Sequence, residues 1–99
     1  MAANKLRKSA RDEDCCLQIH PYCNGNPETV VLCHLNSDGK GWAIKSPDWF
    51  GVYGCSDCHD VIDGRRQTEL DEAELLKCQM RGLYRTWQRL IEKGLINAT

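Results

Sequence analysis

The hydrophobic pattern is strongest in the last third of the chain, where apolar residues recur every three or four positions. This spacing predicts a long amphipathic helix over residues 68–93 with one apolar stripe. Thr68 is the predicted N-cap, and acidic residues fill the first turns, as the helix dipole favours. The residues of the stripe are Leu76, Met80, Leu83, Tyr84, Trp87, Leu90 and Ile91.

Shorter patterns earlier in the chain predict a small sheet and a second helix. Leu17 and Ile19 alternate with polar residues, as in a short strand. The compact β-branched run over residues 29–35 is the strongest strand pattern in the chain. Turn residues fill positions 21–27, and a short helix is predicted from Cys55 to near Gly64. The predicted order is strand, strand, short helix, long helix, which is an α+β fold.

Length and composition limit the protein to a single domain. The 99 residues divide into an N-terminal arm or short helix over 1–14, a core over 15–65 and the helix over 68–93. With 41% hydrophobic and 27% charged residues, the chain has the composition of a folded protein. The net charge of −1 argues against a strongly basic nucleic-acid coat protein, although a local basic patch stays open.

Seven cysteines are the most unusual feature of the composition. The charged first residues contain no apolar leader, and no apolar run approaches the roughly 18 residues of a membrane span. We therefore expect a cytoplasmic protein with reduced thiols and no membrane contact. Cysteines in that compartment bind metal or pack in cores more often than they form disulfides.

The cysteine spacing predicts a structural zinc site. Cys55 and Cys58 form a C-x-x-C pair, which can supply two of the four thiolates that tetrahedral zinc requires. Cys23, in the Gly/Pro turn, and either Cys15 or Cys16 can supply the others. One alternative is that each cysteine is a small core residue. Another is a redox C-x-x-C, but the β-α-β pattern that it requires is absent. Zinc in such a site could contribute on the order of 10 kcal/mol of stability.

A second site is indicated by two histidines and a carboxylate. His59 follows the C-x-x-C, and Asp63 lies four residues later on the same helical face, so the pair could hold a divalent ion. His34 ends the apolar strand, where its imidazole could serve as a general base near neutral pH. The alternative is that each histidine is a surface or core residue, and His20 is assigned to that class.

Three segments together resemble a known family. They are C-N-G-N-P-E-T at 23–29, V-L-C-H at 31–34 and C-S-D-C-H-D-V-I-D-G-R at 55–65. In combination they resemble the YbcO-type "putative nucleases" of lambdoid phages and prophages, which belong to the HNH, or His-Me finger, superfamily. The resemblance runs from about residue 15 to 65, with a similar helical tail. It implies a small zinc-stapled ββα-metal core with a long C-terminal helix.

The resemblance also implies roles for individual residues. His34 corresponds to the general base, His59 to a ligand of the catalytic ion, expected to be Mg²⁺ or Mn²⁺, and Asp48 to the residue that braces the loop. Many HNH enzymes carry an aspartate directly before the base histidine, but this chain has Cys33 there. That departure makes Asp63 a candidate replacement ligand. The family spacing selects Cys15 rather than Cys16 and gives the zinc ligands as Cys15, Cys23, Cys55 and Cys58.

The function that the resemblance implies is a metal-dependent endonuclease that hydrolyses DNA phosphodiester bonds. Cationic side chains must contact the DNA backbone, and the candidates are Arg65, Arg66, Lys77 and Arg81. One alternative is a catalytically inactive, zinc-stabilised module that binds DNA or protein. Another is a structural subunit of a phage complex, which predicts an exposed apolar helix stripe and a stable oligomer. The choice between monomer and homodimer stays open.

Overall fold

The protein is described by a computed structural model that covers residues 2–35 and 47–97. It is a small α+β structure, and the predicted α+β class and long C-terminal helix are confirmed. Within these two described ranges, no helix is both long enough and apolar enough to cross a membrane. Its elements are helix α1 (Ala2–Lys8), strand β1 (Val31–His34), strand β2 (Gly51–Gly54), helix α2 (Ser56–Ile62) and helix α3 (Glu72–Glu92), with 3₁₀ turns at Pro27–Thr29 and Asp48–Phe50.

Strands β1 and β2 form an antiparallel pair at the centre of the molecule. The register sets Val31 opposite Gly54 and His34 opposite Gly51. Every residue of β2 is buried. Gly54 allows close packing there, because a Cβ at this position would lie 2.6 Å from Leu17 Cδ1 and 2.9 Å from Cys33 Sγ.

The strand predicted around Leu17 and Ile19 does not form. Both side chains are fully buried, but they lie in an irregular segment in which Gln18 has a positive φ of 47°. The backbone there makes isolated contacts with the sheet: the Cys16 N–H, for example, donates to Tyr53 O of β2 at 2.7 Å. Alternating burial was thus correctly indicated by the sequence, whereas strand pairing was not. The actual partner of β1 is β2, which the hydrophobic pattern did not predict.

Helix α3 is capped at Asp71 and not at Thr68. The Asp71 carboxylate accepts the Glu74 N–H at 2.8 Å, while the Thr68 hydroxyl accepts the N–H of Leu70. A carboxylate both caps the free N–H groups and interacts favourably with the positive end of the helix dipole, so Asp71 is the stronger cap.

The inner face of α3 packs on β2. A Cβ on Gly82 would lie 2.6 Å from Val52 Cγ1, so this glycine lets the helix approach the strand closely. The Thr86 hydroxyl accepts the Tyr53 N–H at 2.9 Å. Leu83 is buried on the same side.

The predicted apolar stripe of α3 is only partly buried. Leu83 and Leu90 lie in the core, and Trp87 is partly buried against it. The two-stranded sheet is much shorter than the helix, so it cannot cover the full stripe. Four members of the stripe remain exposed, namely Leu76, Met80, Tyr84 and Ile91.

A charge cluster ties the N-terminal segment to the end of α3. The Glu13 carboxylate accepts two hydrogen bonds from Arg89, at 3.0 and 2.8 Å, and pairs with Lys93. Lys93 also donates to Ser9 O at 2.8 Å. The hydrogen bond from Arg89, with help from Lys93 and against the effect of burial, lowers the pKa of Glu13 to about 2.

Changing Glu13 to Gln should therefore lower the melting temperature by a few degrees near neutral pH. The folded-state pKa of Glu13 lies below its ordinary value of 4.5. The ion pair thus stabilises the fold fully above that value, and the contribution is lost as the pH falls towards 2. Thermal unfolding of both proteins between about pH 7 and pH 2.5 should show that their difference in melting temperature shrinks as the pH falls.

Glu74→Gln is the matched control. Glu74 is exposed near the opposite end of α3 from Arg89 and Lys93, so its loss should change the melting temperature little. A difference in melting temperature between wild type and Glu13→Gln that stayed constant across the pH range would contradict the role given to the Glu13 ion pair.

Candidate functional site

Four cysteines from three separate segments converge at one end of the sheet. Their sulfur atoms all lie within 4.8 Å of one another. The distance from Cys15 Sγ to Cys58 Sγ is 3.7 Å, and that from Cys55 Sγ to Cys23 Sγ is 3.9 Å. Four thiolates around tetrahedral zinc lie about 3.8 Å apart, as Zn–S bonds of about 2.3 Å require. The cluster could therefore hold a metal such as zinc.

Backbone N–H groups point at these sulfurs. Cys15 Sγ accepts from Gln18 N at 3.4 Å and from Cys55 N at 3.2 Å, and Cys58 Sγ accepts from Ile19 N at 3.3 Å. Cys55 is the N-cap of α2, and its sulfur accepts the Cys58 N–H. Such donors stabilise a thiolate more than a thiol, and the thiolate is the form that binds a metal ion.

The thiol pKa values differ in direction within the cluster, so the thiolate form is favoured at one cysteine and disfavoured at another. The hydrogen bond from Cys58 is the main reason that the pKa of Cys15 falls to about 4. Burial is the main reason that the pKa of Cys23 rises to about 11. Four thiolates this close together would repel one another, so a cation is required to hold all of them in the charged form. The residues fit a metal on this ground as well.

Cys16 lies outside the cluster. It neighbours Cys15 in sequence, but its thiol points towards Asp14 O, at 3.7 Å, and its pKa is raised chiefly by burial. The structure thus brings together the set of four that the family spacing selected, with Cys15 rather than Cys16.

The turn that carries Cys23 is fastened to α2 by side chains that the sequence analysis did not single out. Asn24 Nδ2 donates to Asp57 Oδ2 at 2.9 Å. The Ser56 N–H donates to the Thr29 hydroxyl at 3.3 Å. These bonds join the C-N-G-N-P-E-T segment to the helix that carries Cys58. The Asn and Thr residues of that segment are the sequence feature from which these hydrogen bonds could have been predicted.

His34 and Asp48 are in direct contact. His34 ends β1 and Asp48 begins the turn before β2, so the antiparallel register brings them together, with His34 Nε2 at 2.6 Å from Asp48 Oδ1. Arg7 Nε of α1 lies 3.4 Å from the same oxygen. Desolvation opposes ionisation of Asp48, but the hydrogen bond from His34 and the charge of Arg7 outweigh it and lower the pKa of that carboxyl.

A pocket of about 110 Å³ lies between β1 and the end of α2. His34 and Asp63 both line it, and Gln79 of α3 contributes to its wall. Asp63 Oδ2 lies 3.1 Å from His59 Nε2, one helical turn earlier. Within residues 2–35 and 47–97, no third metal-binding side chain joins this pair closely enough to complete a three-ligand group.

Cys33 does not face this pocket. Successive residues of a strand point to opposite sides, so Cys33 points into the core while His34 points outward. The Cys33 side chain is fully buried, with its sulfur 3.8 Å from Gly54 O, and burial raises its pKa. The position before the histidine therefore offers no ligand to the pocket.

The four arginine and lysine candidates are distributed over two regions. Arg65 is 71% exposed and lies 4.0 Å from Asp63, beside the pocket. Arg66 pairs with Asp57 at 3.2 Å and stacks on Tyr22. Lys77 and Arg81 lie farther along, where they line a different pocket with His20. Arg81 also donates to Leu17 O at 2.6 Å.

The fold and the site define a small α+β protein with a four-cysteine cluster able to hold a metal. A family described as "Putative nuclease YbcO" matches residues 4–95. The chain belongs to this YbcO family.

Three relatives illustrate the similarity. The chain is 42% identical over 94 residues to "Putative nuclease YbcO" of Escherichia coli strain K12, which covers 94% of this chain and 97% of the relative. It shows the same identity and coverage with the protein of that name from Enterobacteria phage 82. A solved structure of a "putative bacteriophage protein" from Escherichia coli superposes with a TM-score of 0.74 at 38% identity, covering 91% of this chain and all of that one.

We expect the purified protein to contain about one zinc ion per chain, because four sulfurs at this spacing match one tetrahedral site. Cys23→Ser should lose most of the metal and lower the melting temperature. Cys16→Ser is the matched control and should keep both. Metal content measured by mass spectrometry, with unfolding followed by circular dichroism, tests this. Full zinc in the Cys23 variant, or its loss in the Cys16 variant, would contradict the assignment.

Proposed function

We propose that this protein is a metal-dependent endonuclease of the HNH type that hydrolyses DNA phosphodiester bonds in the cytoplasm of a phage-carrying bacterium. The observation that carries this is the contact of His34 with Asp48 beside a pocket that Asp63 also lines. The ββα-metal assignment is supported by the order of two antiparallel strands and a short helix. One histidine lies on the first strand and another on the helix. The names of the relatives support nuclease activity.

His34 acts as the general base in this proposal. Its Nε2–H donates to the Asp48 carboxylate, so the lone pair lies on Nδ1 and can take a proton from water as the water attacks phosphorus. Asp48 fixes the ring and stabilises the imidazolium that results. Arg7 in turn holds Asp48 in its ionised form.

His59 and Asp63 would hold the catalytic ion, Mg²⁺ or Mn²⁺. A nitrogen and an oxygen ligand one helical turn apart suit such an ion, and Mg²⁺ commonly takes only one or two side chains from the protein. When bound, the ion supplies neutralisation of the charge that develops on the phosphate and the leaving oxygen. The four cysteines hold structural zinc, which fixes the helix that carries this pair.

Arg65 is the best placed of the cationic residues to contact the DNA backbone. It is mostly exposed and lies two residues after Asp63, past the end of α2. Arg66 is partly neutralised by Asp57 and therefore contributes less. Lys77 and Arg81 would contact phosphates farther from the pocket.

A second candidate is an inactive zinc-stabilised module that binds DNA or protein. The specific observation in its favour is the buried Cys33, which stands where many HNH enzymes carry an acidic ligand. Among the described residues, Asp63 of the pocket then has His59 as its neighbouring candidate ligand, and no third side chain completes a group with them.

Cleavage of plasmid and branched DNA in Mg²⁺, Mn²⁺ or EDTA tests the proposal. We expect cutting that depends on the divalent ion and falls by about 10²–10⁴-fold in His34→Ala, the contribution of a general base. His20→Ala is the matched control, because His20 is exposed and does not line the His34–Asp63 pocket. Circular dichroism and zinc content establish that both variants are folded.

Two outcomes would contradict the proposal. If His34→Ala cuts at the parent rate, His34 is not the base. If the zinc-loaded wild-type protein cuts no DNA with any ion, the binding module is favoured instead. Gel-shift titration of the same DNA substrates then distinguishes a DNA-binding module from a protein-binding one.

A further inference from the structure

Helix α3 carries an apolar face that the domain leaves uncovered. Leu76 is 51% exposed, Met80 68%, Tyr84 69% and Ile91 43%. These four residues, with the half-buried Trp87 between them, are called the outer α3 face. Trp49, which is 56% exposed and accepts the Trp87 indole N–H through its carbonyl, extends it at one edge. Contiguous exposed apolar surface of this kind marks interaction sites.

The spacing of the outer α3 face is nearly symmetrical about its centre. If a second copy of the helix runs antiparallel to the first, Leu76 of one copy lies opposite Ile91 of the other, and Met80 lies opposite Trp87. Tyr84 then lies near the two-fold axis and faces its own copy. Each large apolar side chain thus meets another, which is the self-complementarity that a two-fold interface requires.

The charges at the edge of this face fit the same arrangement. With Leu76 opposite Ile91, Lys77 of one copy is offset from Glu92 of the other by two residues, about 3 Å along the helix axis, which the long side chains can span. Lys77 forms no ion pair within the part of its own chain that the structure describes. Glu92 is 54% exposed and pairs with Arg89 on the same helix. Opposite charges therefore meet twice across the axis, which favours a second copy as the occupant of this face.

We propose that the outer α3 face is the interface of a homodimer in which two α3 helices pack antiparallel across a two-fold axis. None of its residues belongs to the cysteine cluster or contacts His34, so the proposal does not depend on nuclease activity. A standard interface buries about 800 Å² per partner, and the large apolar side chains of this face would form its core.

Sedimentation equilibrium of the zinc-loaded, full-length protein tests the dimer. We expect a species of twice the 11.3 kDa chain mass at micromolar concentration. A variant with both Met80→Asp and Tyr84→Asp should dissociate at least about 100-fold more readily, since it buries charge at the interface centre. Its helix content and zinc content should match those of wild type. Glu74→Gln, an exposed change elsewhere on α3, is the control and should remain dimeric.

A charge swap tests the orientation of the two helices. Lys77→Glu alone and Glu92→Lys alone should each weaken the dimer several-fold, and the double variant should recover most of the loss. A wild-type protein that is monomeric at high micromolar concentration would overturn the proposal. So would a dimer that survives the Met80/Tyr84 change, and additive weakening in the double swap would overturn the antiparallel orientation.

Discussion

The close approach of four cysteine sulfurs is the constraint on which the rest of this structure depends. Strands of four residues and a helix of seven are too short to be stable alone. The cluster joins the segment before β1, the turn at Cys23 and the junction of β2 with α2. A zinc ion there would contribute on the order of 10 kcal/mol, comparable to the total stability of a small domain. The local hydrogen bonds of the C-N-G-N-P-E-T turn then serve to hold the ligands in place.

The cluster also shares a short helix with the pair of residues proposed to hold the catalytic ion. Cys55 and Cys58 lie at the start of α2, and His59 and Asp63 follow on the same short helix. A helix held at its first turn projects the later residues in a fixed direction from the sheet. The β1–β2 register independently positions His34 against Asp48. The pocket therefore forms between β1 and the far end of a helix whose first turn carries two of the clustered cysteines.

Sequence patterns predicted the parts of this arrangement that depend on local chemistry. The C-x-x-C spacing and the turn at Cys23 identified three of the four clustered cysteines, but spacing alone left Cys15 and Cys16 open, and it was the family resemblance that selected Cys15. Strand β2 was missed because all its residues are buried and its glycines mask any alternation. The contact of Gln79 with the pocket depends on tertiary packing and could not be inferred.

The division of α3 into two faces follows from a mismatch of lengths. A strand of four residues is about 13 Å long, whereas a helix of 21 residues is about 31 Å long. The sheet can therefore cover only the face around Gly82, Thr86 and Leu90, where a glycine and a threonine allow close approach. Apolar residues that continue beside that face cannot reach the core of their own domain. Because exposing them to water costs hydrophobic free energy, their regular spacing is explained if they pack against a partner outside this domain. The near-symmetry about Tyr84 makes a second copy of the same helix the partner that fits.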